Sequence, residues 1–576
     1  MQKIIFTICL LCFVINNHIC GQQISKRNDF VLSPTDYTSF HLSLSGSNHL
    51  FLARMEPLVI REGIDEFKLT IGVRNTNVEF LEINRPSFML YQGNEVEKIL
   101  LYDDGSHGDE TVGDQIFTLN ELSFSPSVSS KPVNKYLIRF IDITFNFLDG
   151  TQETLNEDLA LTMHCIDPSF VSIPQITYES DNIKSTEYVV NIAMNLEGDF
   201  PEHYVNTSEV SKIYYDNFSD DRDFLIFVHP YNTAGGPAAN AGRVRNYISG
   251  IGQSIYDYSA NYGSEGHLQG RINVYFGNAF PGTLSHEMLH MWAVFLNESL
   301  DLGYSHWGVI ERDFSGFGVG AYNGVFNSIE YDSDNTYKCY YDYLPRLYND
   351  LELYLMGLIS ISDVQSPIRT LVNPEFQNYV HEGLTSYALY LAEGIREVRT
   401  EEIVNIEGPR EPSYIESQKS FTSSMIVIYD RLLSNLELSF YDYLAREYEK
   451  SSSQLPNHVT FEEATSGLAS LDLHLSQPIS NIENRESLPK NFNISQNYPN
   501  PFNPTTNINI KVPSKSNVSG IVFNINGEKI EEIINNILEP GQYTIEWNAS
   551  NYASGVYLLV FKYKRIKKII KLLYMK

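Results

Sequence analysis

Cysteine is scarce in this 576-residue chain, at five residues. Three of them, Cys9, Cys12 and Cys20, fall within the first twenty positions, leaving Cys165 and Cys339 for the body. That allows one disulfide and excludes a disulfide-built scaffold. Positive charge is also short: 41 Lys and Arg stand against 71 Asp and Glu, a net charge of -30. Such a surface repels phosphate backbones and anionic bilayers, so a nucleic-acid partner is excluded. A mean hydropathy of -0.22 excludes a multi-spanning membrane protein. The apolar run Ile4 to Ile15, preceded by Lys3, is too short for a stable transmembrane anchor. It has the form of a secretory signal peptide over residues 1–21. A lipoprotein reading of Cys20 is the alternative, weakened because the preceding residue is Ile19 rather than a small one.

What is present divides the chain into several domains, since 576 residues exceed what one core accommodates. Residues 40–167 alternate in short runs such as "FKLTIGV" and "YLIRFIDITFNFLDG", separated by Gly, Asn and Asp turns. That spacing predicts an all-β, immunoglobulin-like sandwich. Within it "LYDDGSHGDETVGDQIFTL" gathers Asp103, Asp104, Asp109 and Asp114 around Gly105, Gly108 and Gly113. Oxygen ligands on a Gly-rich loop suit Ca²⁺, and the same residues suit a solvated turn whose glycines take positive φ. Both readings stand. From 178 to 475, helix-spaced runs such as "SEVSKIYYDNF" and "SFYDYLAREYEK" accompany two or three strand-like runs, "DFLIFVHP" and "GRINVYF" among them. This predicts an α+β domain. Residues 476–490 are polar and aperiodic, as in a linker.

The central region contains "GTLSHEMLHMWAVFLN", with His286, Glu287 and His290 in the order His-Glu-x-x-His. On a helix, positions i and i+4 share a face, so both imidazoles can meet one ion with Glu287 beside them. Zinc takes neutral nitrogen ligands and keeps one position open, where a carboxylate can act as base. The apolar neighbours Met288, Leu289, Trp292, Ala293, Val294 and Phe295 predict a helix through the core, ending near Asn297. The bland alternative is a pair of core histidines satisfied by other partners. The third ligand is open. Leu296 stands where the metzincin pattern requires histidine, although "YLMG" at Tyr354 to Gly357 has the form of a Met-turn. His306 and Glu311 can both reach the ion, because the extended chain spans roughly 3.3 Å per residue.

Two resemblances add to this reading. "QNYPNPFNPTTNINIKVP", the Asn526-Gly527 turn, Gly541, Trp547 and Ser554-Gly555-Val556-Tyr557 make residues 491–576 similar to the C-terminal sorting domain of the type IX secretion system. That resemblance implies a small β-sandwich, the secretion machinery as partner, and passage through the periplasm to the medium or outer surface. The basic tail "KYKRIKKIIKLLYMK" then reads as a solvated end strand rather than a membrane-binding helix.

The pieces "YYDNFSDDRDFLIFV", "VRNYISGIG", "LSHEMLHMW", "SHWG", "YNDLELYLMGLI", "EGPREPS" and "TFEEATSGLASLDL" resemble a group of secreted bacterial zinc metallopeptidases. The resemblance implies a zincin-like domain. Its His-Trp pair, carried to His306-Trp307, favours His306 as third ligand alongside His286 and His290, with Glu287 catalytic. Glu352 has two readings, orienting a zinc-bound imidazole or capping a helix. The expectation is a multidomain secreted peptidase acting on protein or peptide. Its alternatives are a non-catalytic surface adhesin or glycan-binding protein, and a zinc hydrolase of another substrate class.

Overall fold

The computed structural model describes residues 49–86, 96–123, 131–155, 159–196, 205–230, 239–293, 295–296, 300, 309–312, 325–340, 347–382, 385–455, 458–476, 478, 492–512, 516–538, 541–563 and 566–576. The expected signal peptide, His306 and most of the expected linker lie outside them. The chain forms two compact units that divide after Pro478, inside the expected linker.

The first unit opens with nine strands: β1 (Leu50–Glu56), β2 (Val59–Arg61), β3 (Glu66–Val73), β4 (Val78–Pro86), β5 (Val96–Tyr102), β6 (Ile116–Ser123), β7 (Val133–Phe147), β8 (Gln152–Leu155) and β9 (Leu159–Ile166). Their order is β1-β3-β6-β5-β4-β7-β9-β2, with β8 also on β7. In β3 the side chains of Phe67, Leu69, Ile71 and Val73 enter the core on one face of the strand, and Thr70 and Gly72 on the other face are buried as well. The long β7 pairs with β9 through Val133 to Phe140 and with β4 and β8 beyond. Asp142 sits between these stretches at φ 52°, where the register against β4 shifts. A bulge of this kind bends a strand and lets it serve two pairings. The all-β expectation for this region agrees with the described residues.

Next comes a mixed sheet: β10 (Tyr178–Glu179), β11 (Ile183–Ser185), β12 (Val189–Ala193), β13 (Phe224–His229), β14 (Ala239–Arg243), β15 (Gly270–Tyr275), β16 (Ser420–Tyr429) and β17 (Ser470–Asp472). Its order is β10-β11-β12-β16-β13-β15-β14, with β17 also on β16. The four strands β12, β16, β13 and β15 run parallel, and β14 joins antiparallel at the end. Helix α1 (Thr207–Asn217) connects β12 to β13 and packs Val210, Tyr214 and Tyr215 with Leu225 and Phe227 on one face. Ile226 and Val228 point the other way, into the larger core. Because both faces are covered, "FLIFVH" is buried at every position, as in internal parallel strands.

The larger core also holds helices α2 (Pro281–Leu289), α3 (Asp350–Met356), α5 (Asn435–Glu449) and α6 (Phe461–Ala464); α4 (Thr400–Glu407) contributes Ile403. Val59, Val133 and Ile166 from the N-terminal sheet, and Leu58 from the connection between β1 and β2, belong to it as well. The regions expected as 40–167 and 178–475 therefore share one unit. Two further four-stranded sheets lie between Ile310 and Val398, so the central region carries more strand than the two or three runs expected. Segments such as "TSYALYL" (Thr385–Leu391) are short, and besides the adjacent strand Glu375–Glu382 they pair with Thr336–Tyr340, tens of positions earlier, a pairing that leaves little local signal. Cys165 and Cys339 are buried free thiols, so the one disulfide the composition allowed is not made.

The second unit carries β18 (Asn493–Ile494), β19 (Thr505–Val512), β20 (Ser516–Asn524), β21 (Lys529–Leu538), β22 (Gly541–Asn548), β23 (Gly555–Tyr563) and β24 (Ile566–Tyr574). Two sheets, β18-β19-β22 and β21-β20-β23-β24, enclose Phe502, Ile508, Ile510, Val522, Trp547, Phe561 and Tyr574. Residues Ile566–Tyr574 of the basic tail form strand β24.

Candidate metal centre

Pro281 occupies the first turn of α2, where its fixed φ suits a helix start and its missing N–H costs nothing. Leu284, Ser285, Met288 and Leu289 bury one face of the helix. His286 and His290 lie on another face, both half-buried. Their ring centroids are 5.3 Å apart with the planes crossed at 81°. Ligand atoms of His286, Glu287 and His290 all lie within 4.8 Å of one another. Glu287 is only 6% exposed, and burial pushes its carboxyl up to about 8.

The helix stops at Leu289, eight residues short of the expected end at Asn297. His290 N bonds Glu287 O and Met291 N bonds Met288 O, so the ladder tightens to i+3 spacing. Distant residues account for the change of course. Gln253 Nε2 donates to Trp292 O at 3.1 Å, the Arg243 guanidinium lies 3.7 Å over the Phe295 ring, and Trp292 packs edge-on to Phe421 at 5.2 Å. Phe295 O lies where a side chain at Gly252 would be, and that glycine has φ 71°.

Ahead of α3, Tyr348 Oη donates to Ser285 O at 2.6 Å, tying that turn to α2. Asn349 Oδ1 accepts from Glu352 N, and Glu352 Oε2 accepts from Asn349 N at 2.9 Å, a reciprocal cap. Glu352 thus caps α3, and its side chain is fully buried. At the other end of α3, Arg410 Nε donates to Leu355 O at 2.9 Å and Nη2 to Met356 O at 3.1 Å. Gly357 follows at φ 79°, and a Cβ there would strike Arg410 and Ser417. The quoted stretches "YLMG" and "EGPREPS" therefore meet. Gly250 in "VRNYISGIG" packs equally closely on Pro409 O. Neither Tyr348 nor Arg410 was singled out as a site residue; for Arg410, a cation between two prolines was the available signal.

Glu311 is not among the residues gathered at His286. It lies on the short strand Ile310–Glu311, where its Oε2 accepts from Ile329 N and from Arg369 Nη1, both at 2.5 Å. His306 lies outside the described residues. In the acidic loop, Asp103, Asp109 and Asp114 place oxygens within 4.8 Å of one another. Asp103 accepts from Gly113, Asp114 and Gln115 N–H groups, and Asp109 from Gly105 and Thr111. Gly105, Gly108 and Gly113 all have positive φ, as the turn reading requires. A third group, Glu449, Asp472 and His474, escaped the sequence reading; His474 Nδ1 lies 3.0 Å from Asp472 and 3.2 Å from Glu449.

Among known proteins, residues 496–574 match the secretion system C-terminal sorting domain. No curated protein matches the chain. A solved tetra-tandem repeat from the extending region of a large adhesion protein aligns over 90% of this chain and 97% of its own, at 7% identity and a TM-score of 0.12. The sorting domain makes this a protein exported by the type IX secretion system to the outer surface or the medium. Among the described residues no helix is long and apolar enough to cross a membrane.

Proposed function

We propose that the first unit is a secreted zinc-dependent peptidase with a zincin-like central domain. One observation carries the reading: two half-buried imidazoles one helical turn apart, with the buried Glu287 carboxyl within 4.8 Å of both. The donor set suits zinc, a borderline cation that takes imidazole nitrogen in three-ligand sites. His286 and His290 would hold it, with His306 as third ligand by the resemblance; the Arg369 ion pair and the Ile329 N–H engage Glu311 instead.

When bound, zinc supplies Lewis-acid polarisation of the scissile carbonyl. Glu287 takes the proton of the attacking water and delivers it to the departing amine. Support for a peptide over a glycan or ester comes from β14. That strand packs against α2, and among the described residues it pairs only with β15. An extended peptide can add to a strand edge of this kind through main-chain hydrogen bonds.

The test is Glu287→Gln, assayed for bound zinc and for turnover on peptide, glycan and ester panels. Zinc content should stay at the wild-type level while peptide hydrolysis falls by about 10² to 10⁴-fold, the usual contribution of a positioned base. Undiminished hydrolysis would overturn the mechanism.

A further inference from the structure

The segment leading into α2 is held from the N-terminal sheet. Strand β9 directs Leu161, Met163 and Cys165 into the first core, so the alternate residue His164 points out of it. There it is 0% exposed, packed on Phe440 at 4.7 Å between ring centroids. Its Nε2 lies 3.2 Å from Phe276 O.

That carbonyl belongs to an unusual turn. Phe276 has φ 56° and Gly277 φ 61°, two consecutive left-handed residues, and for Phe this conformation is strained. Four residues after Gly277 the chain reaches Pro281, the first residue of α2. A Cβ at Gly277 would collide with the His164 ring, so the glycine serves the close approach as well as the backbone angle. Lys135, on the neighbouring strand β7, places Nζ 5.8 Å from the centre of the Phe276 ring. The turn is thus gripped by residues some 110 to 140 positions earlier in the chain.

We infer that His164 is a positioning residue for the metal centre, and that the N-terminal sheet is part of the catalytic unit rather than a separable module. The physical reason is geometric. A strained two-residue turn relaxes unless its surroundings hold it, and relaxation at Phe276 would rotate the start of α2 and with it His286 and His290. The ring is neutral, so Nε2 carries a proton and donates to Phe276 O, and the tautomer follows from that bond. Other contacts between the same parts have the same sense: Leu58 N donates to Glu437 Oε1 on α5 at 2.9 Å, and Arg431 bridges Glu56 and Glu437.

This inference rests on the zinc reading above, and its experiment separates the two. Zinc affinity of the full chain is measured by chelator competition for wild type, His164→Leu and His164→Gln, with folding checked by circular dichroism. Leucine keeps volume but removes the donor, and affinity should fall by about tenfold or more, the scale seen when support behind a metal ligand is lost. Glutamine restores an N–H at the Nε2 position and should stay within about threefold of wild type. Should His164→Leu fail to fold, Gly277→Ala is measured in its place with the same expectation as the leucine variant. A wild-type chain that binds no zinc would remove the reading on which this inference depends. Wild-type zinc binding with unchanged affinity in the folded leucine or alanine variant would overturn the positioning role alone.

Discussion

Arg410 Nε donates to Leu355 O and Arg410 Nη2 donates to Met356 O, so one buried guanidinium satisfies the last carbonyls of α3. The free carbonyls and negative dipole end of a helix favour a cation there. Burial lowers the Arg410 pKa to about 10, which leaves it charged at neutral pH. The planar fork reaches several acceptors at once, and an ammonium does not. Arg410→Lys should therefore destabilise the first unit by roughly 3 kcal/mol, the scale of losing buried charge-assisted hydrogen bonds. The midpoint of urea unfolding measures it; a change within about 0.5 kcal/mol would show that the contacts contribute little.

The choice between third ligands is testable by metal content and stability together. His306→Ala should weaken zinc retention. Glu311→Gln should leave zinc retention intact and lower stability by about 1 kcal/mol through the half-buried Arg369 pair. Loss of zinc in the Glu311 variant would reverse the assignment.

Acid stability should report on His164. Burial, then the charge of Lys135, lowers its pKa to about 3, so the folded state keeps the ring neutral while the unfolded chain takes up a proton below about 6.5. The unfolded state binds more protons in that window, hence stability is whole above about pH 6.5 and declines as pH falls toward 3. The slope approaches about 1.4 kcal/mol per pH unit for each such histidine. His229, lowered by burial to about 4, adds a second contribution. His164→Gln should flatten the acid limb of a stability against pH curve, and an unchanged limb would place the acid sensitivity elsewhere.

The Asp103 loop should affect stability and not turnover. Asp103→Ala removes the acceptor for three backbone N–H groups and should lower the melting temperature. Peptide hydrolysis at a temperature where the variant is folded should match wild type. If Ca²⁺ binds there, a calcium-selective chelator will lower the wild-type melting temperature and leave the variant unmoved; no effect on wild type leaves the carboxylates their turn bonds alone.

Deleting residues 491–576 should leave folded protein inside the cell envelope instead of at the surface or in the medium. The two compact units make separate folding reasonable, and cell fractionation reads the outcome. Normal export of the shortened chain would contradict the sorting role.

By itself the sequence determined what local periodicity and fixed spacing carry. Period-2 runs such as Phe67, Leu69, Ile71 and Val73 placed strands, and the four-residue interval from His286 to His290 placed two imidazoles on one helical face. The Pro-rich string from Tyr498 to Pro504 identified the sorting domain, and the glycines at 105, 108 and 113 marked a turn. Each of these is a property of neighbouring residues, so it survives without knowledge of the fold. Tertiary structure alone decided that α2 ends at Leu289, because Gln253, Arg243 and Phe421 draw the following residues off the helix axis. It decided that Glu311 faces Arg369, that Arg410 closes α3, and that His164 reaches the turn before α2. These outcomes depend on pairings between residues tens to hundreds of positions apart, and no pattern within a short window encodes which distant partner arrives.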